Sequence, residues 1–255
     1  MTSHFEPTDS LTGSVAVITG GTGAIGLASA HRLAKLGARC VLLYNSEAPE
    51  SAAAKAAALP GSGHLTFKAQ VTDSASLQAV ADQVAALCGV VHILVNSAGY
   101  TKAVPANDLD ALTDELIDDI LKVNFRGVIA TIRAFMPLLK KSEDGLIVNI
   151  SSIAGFTGTG SNLAYVAAKA SIDVVGDALA KAFAPNVRVI SVSPGVVDST
   201  FVPGRGADFN DKVAPTIPLR RIGTVDDVAA VVQACATTMR YVTGTRIVVD
   251  GGRHL

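Results

Sequence analysis

Few short segments restrict a fold as tightly as the run Val15 to Thr19 followed at once by Gly20-Gly21-Thr22-Gly23-Ala24-Ile25-Gly26. A β-branched run of this length reads as a buried strand, and the glycines after it permit an abrupt turn. From Ile25 to Leu36 the apolar spacing becomes helical, with Gly37 placed as a C-cap. Strand, glycine turn and helix N-terminus together make a seat for a pyrophosphate: backbone N–H groups converge there, and the helix dipole favours its charge.

The alternation continues to the end of the chain. Cys40 to Tyr44, His64 to Gln70, Val90 to Val95, Leu146 to Ile150, Val187 to Val192 and Arg246 to Val249 read as strands. Between them lie helical patterns at Pro49 to Leu59, Ala75 to Leu87, Ala111 to Leu139, Leu163 to Phe183 and Val225 to Ala236. The pattern predicts an α/β fold: a Rossmann-type doubly wound parallel sheet of about seven strands with helices on both faces, in a single domain. Ligands of such sheets bind outside the carboxyl ends of the strands, where Gly20, Tyr44, Val71, Asn96, Ser152 and Pro194 all fall. Thr200 to Pro218 has no clear period yet holds Phe201, Val202, Phe209 and Val213, so residues of about 199–218 are expected to form a mobile lid over a substrate.

Composition narrows the function. Of 255 residues 49% are hydrophobic and the net charge is −1, which leaves no basic stripe for nucleic acid. No apolar run approaches the roughly 20 residues that span a bilayer. Cys40, Cys88 and Cys235 have neither a disulfide framework nor metal-ligand spacing, and His31, His64, His92 and His254 do not cluster with them. A cytoplasmic protein with no bound metal, no nucleic acid and no membrane partner is expected.

A second stretch, Ile150 to Lys169, carries candidate chemistry. The strand ending at Ile150 delivers Ser151 and Ser152 to its carboxyl end, and Ser161 or Asn162 can cap a helix bearing Tyr165 and Lys169. Residues four apart share a helix face, which sets the ammonium beside the phenol. An adjacent cation favours the phenolate, and lowering a phenol from about 10 to neutrality asks for roughly 4 kcal/mol. A Tyr tuned in this way donates and accepts protons at working pH.

Ser152 followed by Tyr165-x-x-x-Lys169 resembles the active site of the short-chain dehydrogenase/reductases. Thr19-Gly20 through Gly26 resembles the glycine motif of that family, with Ala24 in place of its middle glycine. Asn96-Ser97-Ala98-Gly99 is similar to its Asn-Asn-Ala-Gly, departing at Ser97, and Val123-Asn124-Phe125-Arg126-Gly127 resembles its helix asparagine. Pro194 to Ser199 is similar to the segment that meets the nicotinamide carboxamide, with Ser199 where Thr is common. The resemblance covers about residues 13–252, and members akin to 3-oxoacyl carrier-protein reductases are the nearest in type. It implies residues 1–12 as a flexible lead-in and 13–255 as one dinucleotide-binding and catalytic domain.

By the same resemblance, Tyr165 gives its proton to a carbonyl oxygen that Ser152 hydrogen-bonds. Lys169 lowers the Tyr pKa and binds the nicotinamide ribose, and Asn124 holds a relay water. The cofactor set is Gly20, Thr22, Gly23, Ala24, Ile25, Gly26, Tyr44, Asn45, Ser46, Val71, Asn96, Ala98, Gly99, Tyr165, Lys169, Pro194, Gly195, Val197 and Ser199, with Gln70 able to meet the adenine amino group. In dinucleotide folds an acid at the end of the second strand accepts both ribose hydroxyls of NAD. Here Tyr44-Asn45-Ser46 stands instead and the first acid is Glu47, so NADP is favoured over NAD although no Lys or Arg directly follows the strand.

The expected activity is hydride transfer between that cofactor and a small-molecule carbonyl or secondary alcohol; the alternative is a non-catalytic nucleotide-sensing or scaffold protein on the same fold. An enoyl reductase is disfavoured, because relatives of that kind space the Tyr and Lys more widely. Tyr100, Ile153, Phe156 and the lid form a mostly apolar candidate pocket wall, with Arg205 as a candidate anchor for a carboxylate. The family also implies a homo-oligomer, commonly a homotetramer.

Overall fold

The computed structural model describes residues 10–204, 206 and 208–255. In chain order the elements are β1 (Val15–Thr19), α1 (Ala24–Lys35), β2 (Arg39–Tyr44), α2 (Pro49–Ala57), β3 (Leu65–Lys68), α3 (Ser74–Cys88), β4 (Ile93–Asn96), α4 (Asp114–Leu121) and α5 (Gly127–Leu139). There follow β5 (Gly145–Ile150), α6 (Ala154–Thr157), α7 (Leu163–Phe183), β6 (Val187–Pro194), α8 (Phe209–Val213), α9 (Val225–Ala236) and β7 (Thr245–Val249). The seven strands form one sheet in the order β3-β2-β1-β4-β5-β6-β7, and every neighbouring pair is parallel. This is the doubly wound architecture expected from the alternation.

The period of two along a strand divides the core into two layers. Val15 and Val17 of β1 join Leu77 and Val84 of α3, Phe135 and Leu139 of α5 and Ile172 of α7. Ala16 and Ile18 join Leu33 of α1, Ala56 of α2 and Val228 and Val232 of α9. Both faces of the strands are thus buried, which is why they read as continuous apolar runs. Some helices begin where a side chain satisfies their free N–H groups: Asp73 accepts from Ala75 and Ser76 at 2.9 and 3.2 Å, and Thr224 with Asp227 makes a capping box.

The chain runs outward from β1 to β3, then returns to lay β4 on the other side of β1. A crevice opens at that reversal, outside the carboxyl ends of β1 and β4. A polar row crosses the strand ends there: Thr19 is in register with Asn96, Asn96 with Asn149 and Asn149 with Ser191.

Three sequence expectations are corrected. Leu11 does not belong to a flexible lead-in: it is buried, and its N–H donates to the Leu36 carbonyl at 2.8 Å. The pattern from Ala111 to Leu139 is not one helix, because a π segment, Lys122–Arg126, separates α4 from α5 around Asn124. The Asn124 amide donates back to the Ile120 carbonyl at 2.9 Å, and such back-bonding widens a helical turn. The loop after β6 is not wholly irregular either, since it contains α8 and a 3₁₀ turn, Ala214–Thr216. Residues 1–9 and Arg205 lie outside the described residues.

Candidate active site

The glycine turn is shaped by contacts that only hydrogen permits. Gly20 has φ +59°, and a methyl there would stand 3.0 Å from the Ala98 Cα; a methyl on Gly26 would stand 2.3 Å from the Gly20 carbonyl oxygen. Thr19 ties this turn to the next one, its Oγ1 accepting from the N–H groups of Ser97 and Ala98 at 3.1 and 3.2 Å. No side chain caps α1, whose N-cap is Gly23. Its first-turn N–H groups therefore have no internal acceptor, which suits a bound anion.

A cleft of about 1810 Å³ runs from this turn across the strand ends. That exceeds the ~300–1,000 Å³ of common small-molecule pockets and has room for a dinucleotide together with a substrate. Gly20, Thr22, Gly23, Ala24 and Ile25 line it, as do Tyr44, Asn45, Ser46, Val71, Ala98 and Gly99, and from the far strands Pro194, Gly195, Val197 and Ser199. Glu47 also lines it, and here the fold supplies a cation that does not directly follow the strand in sequence. Lys55, from α2, places its Nζ 2.7 Å from Glu47 Oε1 and 3.1 Å from the Thr22 carbonyl. With Lys55, Ser51 and Thr22 all on its carboxylate, Glu47 is pulled down to about 2.

Ser152, Tyr165 and Lys169 all line the cleft. Asn162 caps α7 by accepting the Tyr165 N–H at 2.7 Å, and its amide reaches the Lys102 carbonyl, also at 2.7 Å. The start of the helix is thereby fastened to the segment after β4. One turn on, Lys169 is buried; its Nζ donates to the Ile150 carbonyl at 2.7 Å and lies 5.5 Å from the centre of the Tyr165 ring. Burial pushes this ammonium down to about 8, while Asp173, a further turn along, acts in the opposite sense. Ser152 Oγ accepts from the Ala154 N–H at 3.1 Å, and α6 can lie against α7 because Gly155 has no Cβ to meet the Ala170 nitrogen at 2.8 Å. Phe201 of the lid region reaches over Tyr165, with ring centres 6.1 Å apart.

Comparison with known proteins places the chain in a family. A family model described as enoyl-(acyl carrier protein) reductase matches residues 20–254. A Streptomyces violaceoruber protein named as ketoacyl reductase 2 of the granaticin polyketide synthase is 36% identical over 252 residues, covering 97% of this chain and 99% of its own. The 3-oxoacyl-[acyl-carrier-protein] reductase FabG of Escherichia coli K12 is 31% identical, over 95% and 98%. A solved short-chain dehydrogenase/reductase of the glucose/ribitol dehydrogenase type from Brucella melitensis superposes with a TM-score of 0.89 at 29% identity, over 96% and 98%. The chain belongs to the short-chain dehydrogenase/reductase family. It is an oxidoreductase that uses a nicotinamide cofactor and acts on carbonyl or alcohol groups.

As a member of this family, the protein departs from expectation in where some residues sit. Asn124 does not line the cleft: it is fully buried, its amide donating to the Tyr100 and Ile120 carbonyls at 2.6 and 2.9 Å and its Oδ1 accepting from the Tyr100 N–H at 3.3 Å. Both donors are spent on backbone, so its side chain holds the π segment against the segment after β4. Gly26 and Asn96 are likewise buried behind the wall, the first because its turn needs the space and the second because it donates to Asn149 Oδ1 at 2.9 Å. Phe156 is not part of the wall; it packs edge-on against His254, with Arg246 over its face. Tyr100 and Ile153 do line the cleft. No helix of the described residues is long and apolar enough to cross a membrane, and among those residues no group of His, Cys, Asp or Glu is placed to hold a metal ion.

Proposed function

We propose that this enzyme moves a hydride between NADP(H) and a ketone or secondary alcohol, with Tyr165 as the proton donor and acceptor. The observation that supports the reading is that Ser152, Tyr165 and Lys169 line the same cleft as the glycine turn, with the Lys169 Nζ 5.5 Å from the centre of the Tyr165 ring. The nicotinamide supplies or receives the hydride. In reduction the Tyr165 hydroxyl gives its proton to the carbonyl oxygen, and in oxidation the phenolate takes it back. The Ser152 hydroxyl hydrogen-bonds the same oxygen and steadies the charge that develops on it. Lys169 favours the phenolate and holds the nicotinamide ribose. Asn124 acts as a positioning residue through the π segment.

Backbone N–H groups from Gly20 to Ile25 would hold the pyrophosphate, Tyr44 to Ser46 the adenosine ribose and Val71 the adenine. Ala98 and Gly99 would lie along the nicotinamide ribose, and Pro194, Gly195, Val197 and Ser199 at the carboxamide. Two features support NADP: strand β2 ends without a carboxylate, and the first acid beyond it is neutralised by Lys55. The described lid residues would close over the substrate through Phe201. The working form is a cytoplasmic homotetramer, as the family resemblance suggests.

The description of the matching family names an enoyl reductase, whereas the relatives named as ketoacyl and 3-oxoacyl reductases favour C=O chemistry. A panel of ketones, secondary alcohols and enoyl thioesters, followed by nicotinamide absorbance with NADPH and NADH, separates these readings. Ketone turnover with kcat/KM about tenfold higher for NADPH is expected. Turnover confined to enoyl substrates overturns the reaction class, and an equal margin in favour of NADH overturns the cofactor choice.

A further inference from the structure

The end of the cleft away from the glycine turn is completed by the last turn of the chain. Asp250 folds that turn: its Oδ1 accepts from the Gly252 N–H at 2.9 Å, and its Oδ2 from the His254 N–H at 2.8 Å. The same Oδ2 meets His254 Nδ1 at 2.8 Å. Gly251 and Gly252 take φ +65° and +87°, a left-handed path that side chains rarely follow. The turn is wedged beneath the end of the lid region, where Ile217 is buried and the Leu219 N–H donates to the Gly251 carbonyl at 3.1 Å. The His254 ring abuts Phe156, four residues beyond Ser152 in sequence. Held from three sides, this turn brings Arg253 to the cleft wall beside Thr216.

Among the described residues Arg253 is the one arginine that lines the cleft. Elsewhere Arg32, Arg188, Arg221, Arg240 and Arg246 each pair with an aspartate, and Arg39, Arg126, Arg133 and Arg220 donate to backbone or serine oxygens. Arg253 makes no ion pair among the described residues; its Nη1 donates to Thr216 Oγ1 at 3.2 Å. A guanidinium has five donors, so most of its capacity remains for a ligand. Of the acids that line the cleft, Glu47 and Asp119, neither is ion-paired with Arg253. Glu47 is clamped by Lys55 beside Thr22, and Asp119 stands on α4, just before the π segment.

We propose that Arg253 holds a carboxylate carried by the substrate, so that the enzyme acts on keto acids and hydroxy acids in preference to neutral ketones. This rests on the hydride-transfer reading above and adds a substrate class to it. A guanidinium fork matches a carboxylate with two parallel hydrogen bonds, and partial exclusion of water by the lid strengthens them.

The test compares keto acids of increasing chain length with their primary amides, in wild type, Arg253→Gln and Arg253→Lys. Wild type should prefer acid over amide by roughly 10- to 100-fold in kcat/KM, Arg253→Gln should lose that preference, and Arg253→Lys should keep part of it. An acid-to-amide ratio that is the same in wild type and Arg253→Gln, or that shows no preference in wild type, overturns the proposal and leaves the hydride-transfer reading intact. A second arm needs no turnover: pentanoate, and not pentanamide, should raise the melting temperature of the wild-type NADP⁺ complex and leave the Arg253→Gln complex unmoved. If nothing in the panel is turned over, the hydride-transfer reading falls, and this arm alone decides for or against the carboxylate site.

Discussion

The two ends of the cleft are built by different means. At the cofactor end, strand ends pass into helices through turns a few residues long, and what faces the cleft is largely backbone: Gly20 against Ala98, Gly23 ahead of an uncapped α1, Gly99 beside Phe201. At the substrate end the wall is made of side chains from segments far apart in sequence: Phe201 and Thr216 after β6, Arg253 after β7, Ile153 after β5. The first is fixed by where chain atoms are allowed to be, the second by which side chains happen to meet. A conserved chemistry can therefore sit on a stiff frame while the substrate it serves is set by loops.

Tyr165→Phe should produce the largest effect and divide the two ends most sharply. Its kcat should fall by roughly 10²- to 10⁴-fold with cofactor affinity, read by fluorescence titration, near that of wild type. Near-full activity in this variant would remove Tyr165 from the chemistry. Gly26→Ala probes the frame in isolation. Its methyl meets the Gly20 carbonyl, so we expect a loss of about 1–3 kcal/mol in urea unfolding together with weakened cofactor binding. Undiminished stability would mean that the turn is softer than its contacts imply.

Lys169 lies at the seam of the two ends, and its titration tests how dry that seam is. Burial lowers it from 10.5 to about 8, so between these values the unfolded chain binds a proton that the folded protein does not. Wild-type stability should therefore gain from rising pH through this window. Lys169→Met lacks that gain, and its stability relative to wild type should drop by roughly 1–2 kcal/mol between about pH 7.5 and pH 10. A difference that is flat with pH would place the ammonium in water. The smallest effect is expected of Lys55→Met, which leaves Glu47 unopposed where the adenosine ribose is proposed to lie. Its preference for NADPH over NADH should narrow by about threefold to tenfold, and a preference that holds or widens would make the ion pair irrelevant to cofactor choice.

The strands and their order of appearance could be read from the chain, and the cap of α7 could be narrowed to Ser161 or Asn162, because each depends on neighbours within a few residues; the structure gives Asn162. Also legible was the lining of the cleft at the glycine turn, because a glycine turn after a strand directs N–H groups to the same place whatever lies beyond it. Asn124 shows the limit. Its position in a helical pattern marks it as unusual, yet whether its amide faces water or the Tyr100 backbone depends on how the segment after β4 comes back over α4. Phe156 follows the same logic, being apolar near Ser152 in sequence yet claimed by His254 and Arg246 in space.

What the amino-acid order settled by itself is the alternation of strand and helix, the cradle at the first turn and the four-residue step from Tyr165 to Lys169. These follow from backbone dihedrals and helical pitch, which are local. Only the tertiary structure decided that Lys55 neutralises Glu47, that Asn124 is spent on backbone and that Arg253 comes to the cleft beneath the lid. The first depends on how α2 turns back on the loop before it, and the other two on segments distant in sequence that the sheet brings together, which no local rule relates.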